Sequence, residues 1–281
     1  MTKPMNPLFP YFGGKRRITK QVWAALGKPD IYIEPFAGSL AMLLGCPNPA
    51  TQEIVNDFDS MLVNAWRALA YSTDETWKVA TTQPSEVTLK SAHKLVEESK
   101  PRIVELVSSS PTAHDPEIAG WWIYRQSHSI GLQTARMSRP TNNGVSALQW
   151  RDADAPRRIC ERLRYVRIMQ GDWKRCVTKI MFSQRSTGVF LDPPYGEGNV
   201  QYESDTTKDI WEEVWEWAKE NGDDPKKRIV ITGYDDRELP AGWSSSKGKG
   251  YGASWSSNTH REMVFYSPHC LREDKPTGFF E

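Results

Sequence analysis

The sequence predicts an α/β protein: a mostly parallel sheet, with helices on both faces, interrupted by a mainly helical insert. Short apolar and β-branched runs have the length of strands, at residues 31–34, 53–57, 165–169, 188–191, 228–232 and 262–266. Segments with apolar residues at helical spacing separate most of these runs, which is typical of βαβ units. Residues 73–164, in contrast, carry helical patterns and no convincing central strand.

Length and composition fit a globular protein with one large domain. The 281 residues fit one large α/β domain with an insertion, and 38% hydrophobic and 25% charged residues are ordinary for a globular protein. The net charge of +1 means that any polyanion must bind a local patch. The four cysteines show no CxxC pair and no Cys/His spacing, so we expect no metal site. Without a signal pattern or an apolar run of about 18 residues, we expect a cytoplasmic protein and no membrane partner.

The run at 188–191 ends in Asp192-Pro193-Pro194-Tyr195. The prolines cannot continue a β-ladder, and ligands of open α/β sheets bind at the carboxyl ends of strands. A carboxylate, a carbonyl without a competing amide neighbour and an aromatic face suit a planar base, held by its amino group and stacked on its ring. The alternative is a simple strand followed by a Pro-Pro turn.

A first βα unit spans residues 31–44, where a strand and a turn at Gly38 precede an apolar helix start. It lacks the full GxGxxG pattern, so an adenosine ligand without phosphates, S-adenosylmethionine, fits better than a nucleotide. Asp57 ends the next strand, where a ribose hydroxyl is usually held. The alternative is that Asp57 is the N-cap of a helix from Ser60 to Ala70.

Two further segments are candidates for ligand contact. Around residues 11–15, Gly13 and Gly14 allow a tight turn, and Lys15 with the preceding aromatic residues can close over a ligand; a plain loop before a helix is the alternative. Residues 121–164 hold eight Arg and no Lys against three acids. Arg suits phosphate and guanine edges, whereas a solvated surface with salt bridges is the alternative. The candidates for DNA contact are Arg125, Arg136, Arg139 and Asn142.

Together, the segments Tyr11-Phe12-Gly13-Gly14-Lys15, Glu34-Pro35-Phe36-Ala37-Gly38 and Asp192-Pro193-Pro194-Tyr195 resemble the Dam-like family of DNA adenine-N6 methyltransferases in type and order. Asn56-Asp57 and Gly171-Asp172 occupy the expected places between them. One departure is Ser39, where the family often has another glycine. The resemblance implies a Rossmann-like catalytic core (1–72 and 165–267) with one reversed strand near its carboxyl end, a target-recognition insert (73–164) between the second and third strands, and a tail (268–281).

The resemblance also implies the site and the chemistry. The cofactor contacts would be Tyr11, Phe12, Gly13, Lys15, Glu34, Phe36, Gly38, Asp57, Asp172 and Asp192, and the catalytic residues Asp192, Pro193, Pro194 and Tyr195. A methyl group would pass directly, in line, from S-adenosylmethionine to the amine of an adenine flipped out of double-stranded DNA, without a metal. A cognate restriction endonuclease would be a further partner, and the cytosol of a bacterium or of a viral host the location.

Three alternatives remain on the residues alone. The cytosine amine can be methylated with the same geometry, although Ser is more usual at position 192 in those enzymes. A protein-glutamine methyltransferase has a similar Pro-Pro-Tyr segment but usually begins it with Asn. A non-catalytic DNA-binding regulator on the same fold would be expected to have lost Lys15, Asp57 or Asp192, and all three are present.

Overall fold

The computed structural model describes residues 5–9, 11, 15–129, 154–178, 185–194, 206–234, 238–248 and 262–271. Its strands are β1 (Ile31–Glu34), β2 (Gln52–Asp57), β3 (Val166–Gln170), β4 (Thr187–Leu191), β5 (Lys227–Tyr234), β6 (Ser244–Lys247) and β7 (Glu262–Tyr266). They form one sheet in the order β3-β2-β1-β4-β5-β7-β6. Strands β1 to β5 are parallel, and β7 runs antiparallel to both β5 and β6. The predicted mostly parallel sheet with one reversed strand is confirmed.

Helices cover both faces of this sheet. They are α1 (Thr19–Leu26), α2 (Ala41–Leu44), α3 (Ser60–Tyr71), α4 (Thr73–Ala80), α5 (Glu86–Ser109), α6 (Pro116–His128), α7 (Ala155–Leu163) and α8 (Thr206–Gly222), with 3-10 helices at Arg16–Ile18 and Trp173–Cys176. Side chains alternate between the faces along each strand. Tyr32 and Val55 pack with α1, α2 and α3 in one core cluster, whereas Ile33 and Ile54 pack with α8 in the other.

Strand β6 is not among the six strands that the sequence predicts. The run Ser244–Lys247 contains no apolar side chain, so nothing in it predicts a strand. It forms the edge of the sheet because β7 supplies its hydrogen bonds. Ser246 also lies 2.8 Å from the Tyr266 hydroxyl, and the Gln21 amide donates to both oxygens, which fixes β6 against α1.

The insert packs directly on the sheet domain. Within the described part of the chain, residues 73–164 contribute α4 to α7 and none of the seven strands, as predicted. Val107, Ile118 and Trp122 belong to the same core cluster as Tyr32 of β1. The predicted boundaries fall between α3 and α4 and between α7 and β3, but apolar packing continues across both.

Arg67 on α3 joins the insert to the sheet. Its side chain is buried, and its Nη1 donates to the carbonyls of Val107, Ser110 and Ala113 at 2.7–3.2 Å, in the last turn of α5 and just after it. Its Nη2 donates to the carbonyl of Ile168 in β3, at 3.2 Å. One guanidinium therefore satisfies carbonyls at the end of α5 and fixes the α5–α6 connection relative to β3.

Candidate active site

The carboxyl ends of the parallel strands meet at one edge of the sheet. Because side chains at positions i and i+2 share a face, the residues two positions after the buried Tyr32, Val55, Phe190 and Val230 lie on the α1–α3 side. Those residues are Glu34, Asp57, Asp192 and Thr232. The sequence thus gathers three carboxyl groups and one hydroxyl from four separate segments at this edge.

Asp192 is held by two other segments. Lys15 Nζ lies 3.2 Å from Asp192 Oδ1, and the Thr232 hydroxyl donates to the same oxygen at 2.5 Å. The Asp192 side chain retains 18% of its accessible surface. Both described contacts use Oδ1, so they orient the carboxylate while Oδ2 remains available to a ligand. Lys15 and Asp192, two of the predicted cofactor contacts, are therefore direct neighbours in the fold.

The two prolines follow β4 directly. Pro193 is buried and Pro194 half-buried, and neither has an N–H group that could pair with the Pro193 carbonyl or extend the strand. A carboxylate and a carbonyl consequently stand next to each other at a rigid strand end, as the sequence predicts. Tyr195 lies outside the described residues.

Asp57 joins the end of β2 to the glycine turn. Its Oδ2 accepts from the Gly38 amide and its Oδ1 from the Asp59 amide, both at 3.0 Å. Burial raises the pKa of the Asp57 carboxyl to about 6. The alternative role of Asp57 as N-cap of α3 is wrong: Asp59 caps this helix, accepting from the amides of Met61 and Leu62.

The turn after β1 has a specific backbone shape. Gly38 and Leu40 adopt left-handed conformations, with φ of +45° and +60°, and Ser39 does not. The serine at position 39 is therefore compatible with the turn, and the strain falls on Leu40. A Cβ atom on Gly38 would lie 3.3 Å from the Tyr11 ring, so Tyr11 covers the turn and only glycine fits without displacement.

Glu34, in contrast, is part of the interior. It is 2% exposed, and its Oε2 accepts from the Tyr32 hydroxyl at 2.9 Å. Burial raises the pKa of Glu34 to about 8, and the nearby charge of Asp192 adds to this increase. At neutral pH Glu34 is therefore largely protonated and belongs to the buried interior next to the site. Its assignment as a cofactor contact stays a prediction.

Residues that follow β3 form another side of the candidate site. Asn56 donates to the carbonyls of Pro35 and Gly171 at 3.0 and 2.9 Å, which ties the ends of β1 and β3 together. The rings of Phe36 and Trp173 lie 6.0 Å apart. Asp172 is exposed beside them and accepts from the Lys174 amide at 2.8 Å. Phe36 and Asp172 thus reach the same sheet edge as Asp57.

Phe58 was not identified from the sequence. Its side chain is 70% exposed, although it directly follows Asp57 at the carboxyl end of β2. A large aromatic ring exposed beside a carboxylate offers a stacking surface for a planar ligand. Its position in the sequence could have identified it, because it directly follows the predicted strand at 53–57, at the end of the strand where ligands bind.

Of the remaining predicted site residues, the structure describes only Arg125. Phe12, Gly13, Arg136, Arg139 and Asn142 lie outside the described residues. Arg125 does not present its guanidinium to solvent: its side chain is 8% exposed, and its Nη1 lies 2.7 Å from Glu97 on α5. In this structure Arg125 holds α6 against α5, and the DNA contact predicted for it has no support.

Two features are absent from the described residues. No group of three or more His, Cys, Asp or Glu residues that could hold a metal ion occurs among them. None of the helices in the described ranges is both long and apolar enough to cross a membrane.

The chain shows similarity to known proteins in two of three comparisons. The search of curated proteins gave no match. Among solved structures, the rRNA methyltransferase AviRa from Streptomyces viridochromogenes is similar with a TM-score of 0.37 and 16% identity, covering 96% of this chain and 89% of that one. A family model described as D12 class N6 adenine-specific DNA methyltransferase matches residues 11–214. The match includes the glycine turn, Asp57 and the Asp192 segment.

Proposed function

The chain belongs to the D12 class N6 adenine-specific DNA methyltransferase family, and from this premise we propose that it methylates adenine at a specific site in double-stranded DNA, using S-adenosylmethionine. The single observation that carries the proposal is the Asp192 carboxylate, oriented by Lys15 and Thr232 and followed by the buried Pro193. The family assignment favours adenine over the cytosine amine, and an enzyme over a non-catalytic regulator.

The chemistry follows from these groups. The N6 amine of adenine is a weak nucleophile because its lone pair is delocalised into the ring. Its two N–H groups donate to Asp192 Oδ2 and to the Pro193 carbonyl, which directs the lone pair away from the ring plane. Lys15 and Thr232 keep the carboxylate in this orientation. As the new N–C bond forms and the bond from the methyl group to sulfur breaks, which leaves S-adenosylhomocysteine, Asp192 Oδ2 would stabilise the positive charge on N6 and accept the proton that N6 releases.

The residues around Asp57 fit S-adenosylmethionine, which when bound supplies a methyl group activated by a sulfonium. The Asp57 oxygens accept the amides of Gly38 and Asp59, and lone pairs of the same carboxylate can accept a ribose hydroxyl. The exposed ring of Phe58 suits stacking on the adenine of the cofactor. The donor set therefore suits a nucleoside without phosphates. Phe12, Gly13 and Glu34 remain proposals for the same ligand.

Access to Asp192 argues for base flipping. The side chain lies at the sheet edge and is 82% covered, so an adenine stacked in a duplex cannot bring its amine to Oδ2. Tyr195 would stack on the extruded base, and Arg136, Arg139 and Asn142 would contact DNA from the insert. A cognate restriction endonuclease and a bacterial or viral host cytosol are proposed on the family resemblance alone.

The test is transfer of radiolabelled methyl groups from S-adenosylmethionine to unmethylated genomic DNA, followed by nucleoside analysis. Asp192→Asn removes the acceptor without changing the size of the side chain, and Asp223→Asn makes the same change at an exposed acid on the opposite side of the sheet domain, after α8. We expect label in N6-methyladenine from the wild type and from Asp223→Asn, and about a hundred- to a thousandfold less from Asp192→Asn. Label in methylcytosine, or no label while the cofactor still binds, would overturn the proposal.

A further inference from the structure

The amino-terminal segment has an unusual charge. Residues 15–29 contain Lys15, Arg16, Arg17, Lys20 and Lys28 and no acid, although the whole chain has a net charge of only +1. Such a local excess is the type of patch that a nearly neutral protein needs in order to bind a polyanion.

The position of this segment is fixed relative to the reacting groups. Lys15 Nζ lies 3.2 Å from Asp192. The next residues form a 3-10 turn in which the Ile18 amide donates to the Lys15 carbonyl at 3.1 Å and the Ile18 side chain is buried. Arg16 and Arg17 are exposed on this turn. Since consecutive Cα atoms are about 3.8 Å apart, both arginines begin within about 8 Å of the Lys15 Cα.

The charges of Arg16 and Lys20 are also less compensated than those of another basic segment, α5. The lysines of α5 are paired along the helix, Lys90 with Glu86, Lys94 with Glu98 and Lys100 with Glu97. In the part of the chain that the structure describes, Arg16 and Lys20 make no ion pair. An exposed, uncompensated arginine on a rigid turn is well suited to a bidentate contact with phosphate.

We infer that Arg16 and Arg17, with Lys20 behind them, bind the backbone phosphates that flank the target nucleotide. This inference rests on the proposed function. A base that reaches Asp192 brings its own sugar-phosphate backbone to the mouth of the site, and the 3-10 turn stands there because Lys15 is bound to Asp192. The turn therefore links two tasks: Lys15 orients the catalytic carboxylate, and the next two residues fix the strand that carries the base.

Lys28 provides a matched control within the same segment. It is exposed and basic like Arg16, but it precedes β1 and therefore lies at the amino-terminal edge of the sheet, opposite the site. We would measure binding of fluorescein-labelled, sheared genomic DNA by anisotropy between about 50 and 200 mM salt. The proteins are the wild type, Arg16→Ala, Arg17→Ala, Arg16→Lys and Lys28→Ala.

Each alanine substitution at Arg16 or Arg17 should weaken binding about tenfold and lower the slope of log Kd against log salt by about 0.9. Arg16→Lys should keep the slope, and Lys28→Ala should keep both slope and affinity. Equal slopes for Arg16→Ala, Arg17→Ala and Lys28→Ala would overturn the inference. If the wild type methylates DNA and these three variants have equal slopes, only this inference is refuted. If the wild type binds DNA through these arginines but transfers no methyl groups, only the proposed function is refuted.

Discussion

Removing the Thr232 hydroxyl should slow methyl transfer without unfolding the protein. Thr232 is 2% exposed on β5, and its hydroxyl donates to Asp192 Oδ1 at 2.5 Å, with the Leu191 carbonyl a longer contact at 3.5 Å. Thr232→Val keeps the shape of the side chain and removes only this donor. Lys15 then orients the carboxylate alone, and Asp192 Oδ2 is no longer directed at the amine of the base.

The size of the effect follows from the charge of the acceptor. A hydrogen bond to an ionised group contributes about 1.5–3 kcal/mol. If the bond acts fully in the transition state, its loss lowers kcat by about 10- to 150-fold. The KM for S-adenosylmethionine should change little, because Thr232 touches the carboxylate that binds the base.

Initial rates with labelled S-adenosylmethionine and unmethylated DNA give kcat and both KM values. Thr232→Ser is the matched control, because it keeps the hydroxyl and should retain most of the activity. Thermal unfolding of each variant checks that the fold is intact. A Thr232→Val enzyme with a kcat within about twofold of the wild type would refute the reasoning that this hydrogen bond orients Asp192.

Two further predictions concern cofactor binding and stability. Burial raises the pKa of Asp57 to about 6, and its ionised form accepts the Gly38 amide. The affinity for S-adenosylmethionine, measured by calorimetric titration, should therefore be constant above about pH 6 and fall up to about tenfold per pH unit below it. Asp57→Asn should show no such pH dependence, and a flat wild-type profile would contradict the role of Asp57. Arg162→Met leaves the buried Glu53 carboxylate without its bidentate partner and should lower the free energy of unfolding by about 3–5 kcal/mol. Urea unfolding should show that adding Glu53→Gln restores part of that loss; no recovery would mean that the two side chains act independently.

The sequence was most informative where one segment determines its own structure. The apolar runs of β1 and β4 are short and are bounded by Gly or Pro, so both strands and the ligand-facing residues after them were predictable. Asp57 and Asp59 stand two residues apart, and either could cap α3 by sequence. The amide of Gly38, nineteen positions earlier in the chain, engages Asp57 and leaves the cap to Asp59.

Contacts between distant segments account for what sequence reasoning missed. The polar run Ser244–Lys247 becomes a strand only because β7 pairs with it. Arg125 belongs to an arginine-rich segment, but its partner Glu97 lies 28 residues earlier, on another helix. Thr232 reaches Asp192 from a neighbouring strand 40 positions away. None of these pairings has a local signature that a single sequence would reveal.

The continuous core between the insert and the sheet limits how such an enzyme can acquire a new target. If residues 73–164 were exchanged as a block with a relative, the incoming helices would have to match the apolar side of α3 and supply carbonyls for the buried Arg67. A chimera that retains α4 to α7 keeps those contacts intact. Under the proposal that Arg136, Arg139 and Asn142 contact DNA, variants designed for a different sequence preference should therefore keep these four helices and change the residues between α6 and α7.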